Sequence, residues 1–216
     1  MHEGGDGLPK ETFYNLPQEK RDRIIAAIKK ELARAPFEEI SINKIIQDAG
    51  ISRGSFYMYF EDKKDMLHCI FSDFRDRLLA TIEESARQND GDLFSIFSDI
   101  LKFTAEFGTK KENIDFCMNV FARQRIQSDI LLKFANRRRR SDFSDWFGRY
   151  ANTRKLNLHK PEDLYSMIDI LATITKKAIA DIFLSIEDKG SILEEYNNKI
   201  NILKRGMLKE SNNACT

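Results

Sequence analysis

Helix-breaking residues are scarce in this chain, with four prolines and ten glycines among 216 residues. So few turn-formers argue against many short strands joined by tight turns, and for long helices. No stretch holds the roughly 18 uninterrupted apolar residues that a membrane span requires, so no membrane partner is expected. The opening stretch, Met1 to Lys10, is polar and glycine-containing. It lacks the apolar run of a secretory leader and the arginine-rich amphipathic pattern of a transit peptide. Together with Ser211 to Thr216 it reads as a fraying end. Cysteine is also rare: Cys69, Cys117 and Cys215 are odd in number and lack metal-type spacing, which predicts reduced thiols and a cytoplasmic setting. The three histidines, His2, His68 and His159, stand apart from one another. No metal or cofactor is therefore expected, and with no paired nucleophile and base or phosphate-cradling glycine loop, an enzyme is disfavoured. The net charge of +1 means that any nucleic-acid contact must come from local placement of charge.

What is present is helical periodicity almost throughout, and the fold class it predicts is all-α. A first long helix spans about Gln18 to Arg34, with Ile24, Ile25, Ile28 and Leu32 on one stripe. Pro17 sits at its start, where a missing N–H costs least, and Pro36 ends it. Ser41 is an N-cap for a short helix through Asp48, Ser52 for another over Arg53 to Tyr59, and Asp62 for a long one to about Gln88. The run Gln88-Asn89-Asp90-Gly91-Asp92 is the clearest loop. Helices follow at roughly Leu93–Phe107, Lys111–Gln127, Asp129–Ala151, Glu162–Glu187 and Ser191–Lys209. Gly190 is expected to cap the penultimate one.

Two short helices joined by a tight turn at Gly50 form a helix-turn-helix pattern between Ser41 and Phe60, whose second helix enters a DNA major groove. Ile45, Ile46, Ile51, Phe56 and Phe60 supply apolar anchors. Ser52, Arg53, Ser55, Tyr57 and Tyr59 supply donors, and Gly54 allows close backbone approach. Arg53 is the best base reader, since a guanidinium bridges guanine O6 and N7. Hydroxyls and Lys63 suit phosphate oxygens, as do the first N–H groups of the helix at Ser41. Tyr57 and Tyr59 are alternatively half-buried packing residues and Lys63 a solvated charge, and the rival to a DNA-binding protein is a helical protein-protein adaptor that uses the aromatic faces of the chain for its partners.

The ordered run Ser41-Ile42-Asn43-Lys44 … Ala49-Gly50-Ile51-Ser52-Arg53-Gly54-Ser55-Phe56-Tyr57-Met58-Tyr59-Phe60-Glu61-Asp62-Lys63-Lys64-Asp65-Met66-Leu67 resembles the DNA-binding domain of the tetracycline-repressor family. With the preceding isoleucine-rich helix, the resemblance covers about residues 18–67. It implies DNA contacts by Ser41, Asn43 and Lys44 on one helix and by Ser52, Arg53, Gly54, Ser55, Tyr57 and Met58 on the next. Tyr59 and Lys63 would grip phosphates. It further implies a headpiece over 18–64 and an effector-binding and dimerisation region over 65–209. The function implied is that of a homodimeric repressor of a palindromic operator, released by a small molecule; a ligand-responsive activator is the alternative. The segment before Gln18 is longer than the family pattern and is either inert or directed to the minor groove. Residues 1–65 carry 11 Lys or Arg against 12 Asp or Glu, a net of −1, which predicts weak salt-driven nonspecific binding.

Ten of the chain's sixteen phenylalanines lie beyond residue 92. Phe97, Phe103, Phe107, Phe116, Phe121, Phe143, Trp146 and Phe147 are either an aromatic core or the lining of a hydrophobic effector pocket. Leu164, Ile168, Leu171 and Ile182, with Tyr196, Ile200 and Leu203, are assigned to the dimer interface that the resemblance implies. Arg123 to Lys155 holds 10 Lys or Arg against 3 Asp, including Arg137-Arg138-Arg139-Arg140. That run is either a solvated helix face or an attractor for an anionic effector.

Overall fold

The computed structural model describes residues 9–35, 39–119 and 147–209. Those residues are helical, with strands absent among them; one isolated antiparallel bridge joins Leu156 to Leu208. They form two compact units that interleave in sequence. The first contains 9–77 and 110–119, the second 78–109 and 147–209.

In the first unit, α1 is a single turn (Glu11–Tyr14), followed by α2 (Gln18–Arg34), α3 (Ile42–Ala49), α4 (Arg53–Tyr59) and the start of α5 (Lys63–Gln88). Ile24, Ile28 and Leu32, four residues apart on α2, are 0–1% exposed, and Ile45 of α3, Phe56 of α4 and Phe60 at its end are equally buried, with α2 packed against α3 and α3 against α4. Met66, Leu67, Ile70, Phe71 and Phe74 close the core from α5. The α5 start is fixed reciprocally. Asp62 accepts from the Asp65 N–H (3.1 Å), and the buried Asp65 carboxylate accepts from the Glu61 N–H (2.8 Å). Each bond satisfies a backbone donor that a helix start leaves open.

The third stretch of this unit comes from farther along the chain. The helix expected from Lys111 begins only at Ile114; α7 is Ile114–Cys117. Asn113 precedes it but does not cap it, because its side-chain oxygen accepts from Lys29 of α2 (2.9 Å). Lys29 also lies 5.2 Å from the centre of the Phe116 ring, and Phe116 meets Phe71 edge-on. Three residues on, the buried Asn119 amide donates to the carbonyls of Leu32 and Ala35. The C-terminus of α2 thus receives its cap from a segment more than eighty residues away.

In the second unit α8 (Glu162–Leu184) packs against both α6 (Leu93–Gly108) and α9 (Lys189–Met207), and the end of α5 contributes Ile82 to the same core. Asp92 caps α6 by accepting from the N–H groups of Phe94 and Ser95. Phe94, Phe97, Leu101, Phe147, Ile168, Leu171, Ile182, Tyr196 and Ile200 form its core. The buried Tyr196 hydroxyl is satisfied by Thr175 (2.9 Å). The break before α9 differs from expectation: α8 stops at Leu184, and Ile186–Asp188 form a 3-10 turn. Gly190 lies inside the first turn of α9, without the positive φ that a C-terminal cap needs. The stop is made by Ser185, which leaves helical geometry at φ −142°, ψ 74°.

Gly91 does need to be glycine. Its φ is +66°, and an added Cβ would stand 2.6 Å from the Asn152 nitrogen and 2.7 Å from the Tyr150 oxygen. Asn152 donates its N–H to Gly91 O (2.8 Å), and Asp90 pairs with Lys155 (3.0 Å) and the Asn152 amide (2.9 Å). Gly91→Ala combines a disfavoured backbone with a clash against main chain that cannot step aside. It is expected to destabilise the fold by about 2–4 kcal/mol, read as a lowered denaturation midpoint; a loss below about 0.5 kcal/mol would mean that the loop is not held this way.

Candidate nucleic-acid interface

The geometry between α3 and α4 follows from their ends. Ser41 caps α3, its hydroxyl accepting from the Lys44 N–H (3.4 Å). At the other end Gly50 takes the left-handed conformation (φ 64°, ψ 39°). Its N–H bonds Gln47 O and the Ile51 N–H bonds Ile46 O, the paired closure that a left-handed residue after a helix allows. Ser52 then caps α4 directly, accepting from the Ser55 N–H (3.0 Å), with the two serine hydroxyls 2.9 Å apart. One linking residue, Ile51, therefore separates two capped helices, and their angle has little freedom.

On the outer side of this pair Asn43, Lys44, Ser52, Arg53, Gly54, Tyr57 and Met58 are exposed, and Ser41, Ser55 and Lys63 are half-buried. Three of them are already joined. Arg53 donates Nη1 to Asn43 Oδ1 (2.8 Å) and Nη2 to Tyr57 Oη (3.3 Å), and its guanidinium lies 5.5 Å from the Tyr57 ring centre. A polar cluster thus bridges both helices on the solvent side. Phe56 and Phe60, fully buried, fix the opposite side.

Tyr59 sits differently from its neighbours. It is 5% exposed, edge-on to Phe13 and Phe60, with the Lys20 ammonium 5.8 Å from its ring centre. Its ring contributes to the core that backs the interface.

A buried carboxylate supports α3 from behind. Glu31 is 4% exposed on the inner face of α2 and accepts from Arg34 Nε (2.8 Å) and Nη2 and from the Ser41 N–H (2.9 Å). Glu31 was not singled out in the sequence, although its position three after Ile28 is a signal of an inward residue, and only the fold shows which donors meet it. The Arg34 hydrogen bond, aided by Ser41, overrides the desolvation that opposes charge and holds the Glu31 carboxyl at a pKa of about 2, against an ordinary 4.5. A carboxyl whose pKa falls on folding contributes stability that is complete above the unfolded value and lost as pH drops toward the folded one. Glu31→Gln is thus expected to lower stability at pH 7 by about 1–3 kcal/mol. It should also flatten the stability–pH profile between pH 4.5 and about 2. An unchanged acid slope in the variant would contradict this role.

The other expected sites are placed as follows. Phe97 and Phe147 stack at 4.8 Å inside the second unit, and Phe103 and Phe107 lie 6.2 Å apart on α6. Phe116 belongs to the first unit, against Phe71. Phe121, Phe143, Trp146 and Arg137 to Arg140 lie outside the described residues. Of the side chains expected at a dimer interface, Ile168, Leu171, Ile182, Tyr196 and Ile200 are 0–4% exposed in the protomer's own core, where they have no area left to offer a partner. Leu164 and Leu203 are half-buried against that core. The outward apolar residues of α8 and α9 are Tyr165, Ile170, Leu184 and Ile202.

Burial pushes the Cys69 and Cys117 thiols up to about 12, so neither is a ready nucleophile. Among the described residues no three His, Cys, Asp or Glu side chains converge to hold a metal, and no helix is long and apolar enough to cross a membrane.

Comparisons with known proteins identify the family. Residues 24–70 match the family described as bacterial regulatory proteins, tetR family, and residues 92–207 match the tetracyclin repressor-like C-terminal domain. An uncharacterized HTH-type transcriptional regulator, YdgC of Bacillus subtilis, is 22% identical over 203 residues, covering 91% of this chain and 96% of its own. The fatty acid metabolism regulator protein of the same organism is 27% identical over only 66 residues, 31% of this chain and 34% of its own. A crystal structure of a TetR family transcriptional regulator from Chloroflexus aurantiacus superposes with a TM-score of 0.54 at 22% identity, covering 94% of this chain and all of that one.

Proposed function

The chain belongs to the tetracycline-repressor family of bacterial regulatory proteins, and from that premise we propose that it is a cytoplasmic homodimeric repressor of a palindromic operator. It is a DNA-binding transcription regulator rather than an enzyme. In the proposed mechanism a small hydrophobic or anionic-hydrophobic ligand releases it from DNA. Residues 18–64 are the headpiece and 65–209 supply the effector and dimer region, except that 65–77 and 110–119 pack in the same compact unit as the headpiece; α5, which contributes to both units, is the lever. A ligand that favours the state with the wrong headpiece separation shifts the population off DNA.

The observation that carries operator reading is the Asn43–Arg53–Tyr57 cluster, exposed and assembled across the two helices. Selection from random duplexes should enrich a palindrome with half-sites about 10–10.5 base pairs apart or a multiple of that. Arg53→Ala should weaken binding by about 1–3 kcal/mol and relax preference at one base pair per half-site, and Arg53→Lys should not restore it. Enrichment of no sequence would remove the operator reading.

For dimer formation we assign the outward face of α8 and α9. Tyr165, Ile170, Leu184 and Ile202 are 41%, 42%, 58% and 59% exposed. Single large apolar side chains are common on surfaces, but four on two helices packed together offer apolar area for burial against a second copy. Ile202→Glu should give a folded monomer in sedimentation and lower operator affinity at least about a hundredfold, because each half-site then binds alone. A variant that remains dimeric would exclude this face.

A further inference from the structure

The residues before α2 hold an unassigned piece of the interface. The family match begins at residue 24, and 9–16 precede it. These residues were expected to be inert or to reach the minor groove, but they pack onto the end of the recognition helix. Pro9 and Phe13 are buried, and Phe13 lies 5.0 Å from Phe60 and 6.3 Å from Tyr59, ring centre to ring centre. Arg21 of α2 holds the arm at its far end, donating Nη1 to Tyr14 O (2.9 Å).

The polar contacts are specific to one turn. The last four carbonyls of a helix have no partner within it. In α4 these belong to Phe56, Tyr57, Met58 and Tyr59. The Phe60 N–H serves Phe56 O (2.9 Å). The other three are served by the arm. Lys10 Nζ donates to Tyr57 O (2.9 Å), Thr12 Oγ1 donates to Met58 O, and the Lys10 N–H donates to Tyr59 O (2.9 Å). No glycine follows α4 to make a left-handed cap, since Phe60 is extended (φ −129°, ψ 136°). The ammonium of Lys10 also sits at the negative end of the helix dipole, where a cation is favoured.

The capped turn is the one that carries function. Tyr57 and Met58 are its exposed side chains, and the Tyr57 hydroxyl is one of the two groups that aim Arg53. We propose that residues 9–16 are a specificity brace, in which Lys10 and Thr12 are positioning residues that hold the last turn of α4, and through Tyr57 the guanidinium of Arg53, at the angle that operator readout requires. The brace rests on the operator-binding reading above. It acts on discrimination between sequences, because base contacts depend on a fixed side-chain angle whereas phosphate contacts tolerate small rotations.

The test uses the full-length protein and the duplex that the wild type enriches from a random pool. Affinities of wild type, Lys10→Met, Thr12→Val and Thr12→Ser are measured on that duplex and on a scrambled one across a salt series, alongside thermal melts. Lys10→Met and Thr12→Val should each lose about tenfold on the enriched duplex and less than about twofold on the scrambled one, with the salt slope unchanged. Thr12→Ser, which keeps the donor, should bind as wild type does. Thr12→Val alters neither charge nor size, so it reports on the brace even where Lys10→Met folds poorly. An equal loss on both duplexes, with the Lys10→Met salt slope reduced by about one, would overturn the brace and make Lys10 a phosphate ligand. Unchanged ratios, or a Thr12→Ser loss as large as that of Thr12→Val, would overturn it as well. If the wild type enriches nothing, operator binding fails and the brace with it; if only the variants behave as wild type, the brace alone fails.

Discussion

A recognition helix of seven residues, Arg53–Tyr59, is far below the length at which a helix holds itself in water. Everything that makes the headpiece a rigid reader follows from that constraint. Such a helix has barely two turns, so most of its backbone donors and acceptors are end groups, and its conformation is decided by what meets them. Ser52 meets the first turn, the arm at Lys10 and Thr12 meets the last, and the fully buried Phe56 and Phe60 pin the side that faces the core. Removing any of these leaves a helix whose side chains have no fixed direction.

The same economy governs the helices behind it. The end of α2 is closed by Asn119 and its middle is tied to Asn113 through Lys29. Glu31 links that helix to the N-cap of α3. These polar ties are buried or half-buried, where a hydrogen bond is electrostatically stronger and its loss leaves an unsatisfied group. They are directional, as the isoleucine stripe is not. Apolar burial assembles α2, α3 and α4, and the polar ties choose one arrangement among those that burial would permit. Because 110–119 supplies two of these ties, a segment distant in sequence is part of what keeps the headpiece in one shape.

Local chemistry was legible in the sequence wherever it is local in the fold. Ser41, Gly50, Ser52, Asp62 and Asp92 sit at helix ends because their side chains or backbone freedom act within three residues, and the helix bounds followed from them to within a residue or two. Contacts that span long separations had no such signal. The segment before Gln18 was expected to be inert or directed to the minor groove, and nothing in its spacing pointed Phe13 at Phe60. Gly190 looked like a cap because glycine often is one, yet the chain had already turned at Ser185. The inward positions of α8 and α9 were assigned to a partner because a periodic stripe marks burial without saying against what. Ile168, Leu171, Tyr196 and Ile200 are buried against their own protomer. An outward residue such as Ile202 broke the stripe and was passed over for that reason.

The near-neutral headpiece gives these restraints their functional weight. With 11 cationic against 12 acidic side chains over residues 1–65, long-range attraction to the phosphate backbone is expected to be modest and nonspecific affinity low. Discrimination then has to come from a few short-range contacts, and their strength depends on how little is lost in ordering them. An arginine free in solution gives up rotamer entropy when it meets a base edge. Arg53 is already held by Asn43 and Tyr57, and Tyr57 stands on a turn whose carbonyls are capped. A protein with many cations could tolerate a loose reading helix. In a headpiece whose cations are balanced by acids, the caps around α4 supply by fixed geometry what net charge does not.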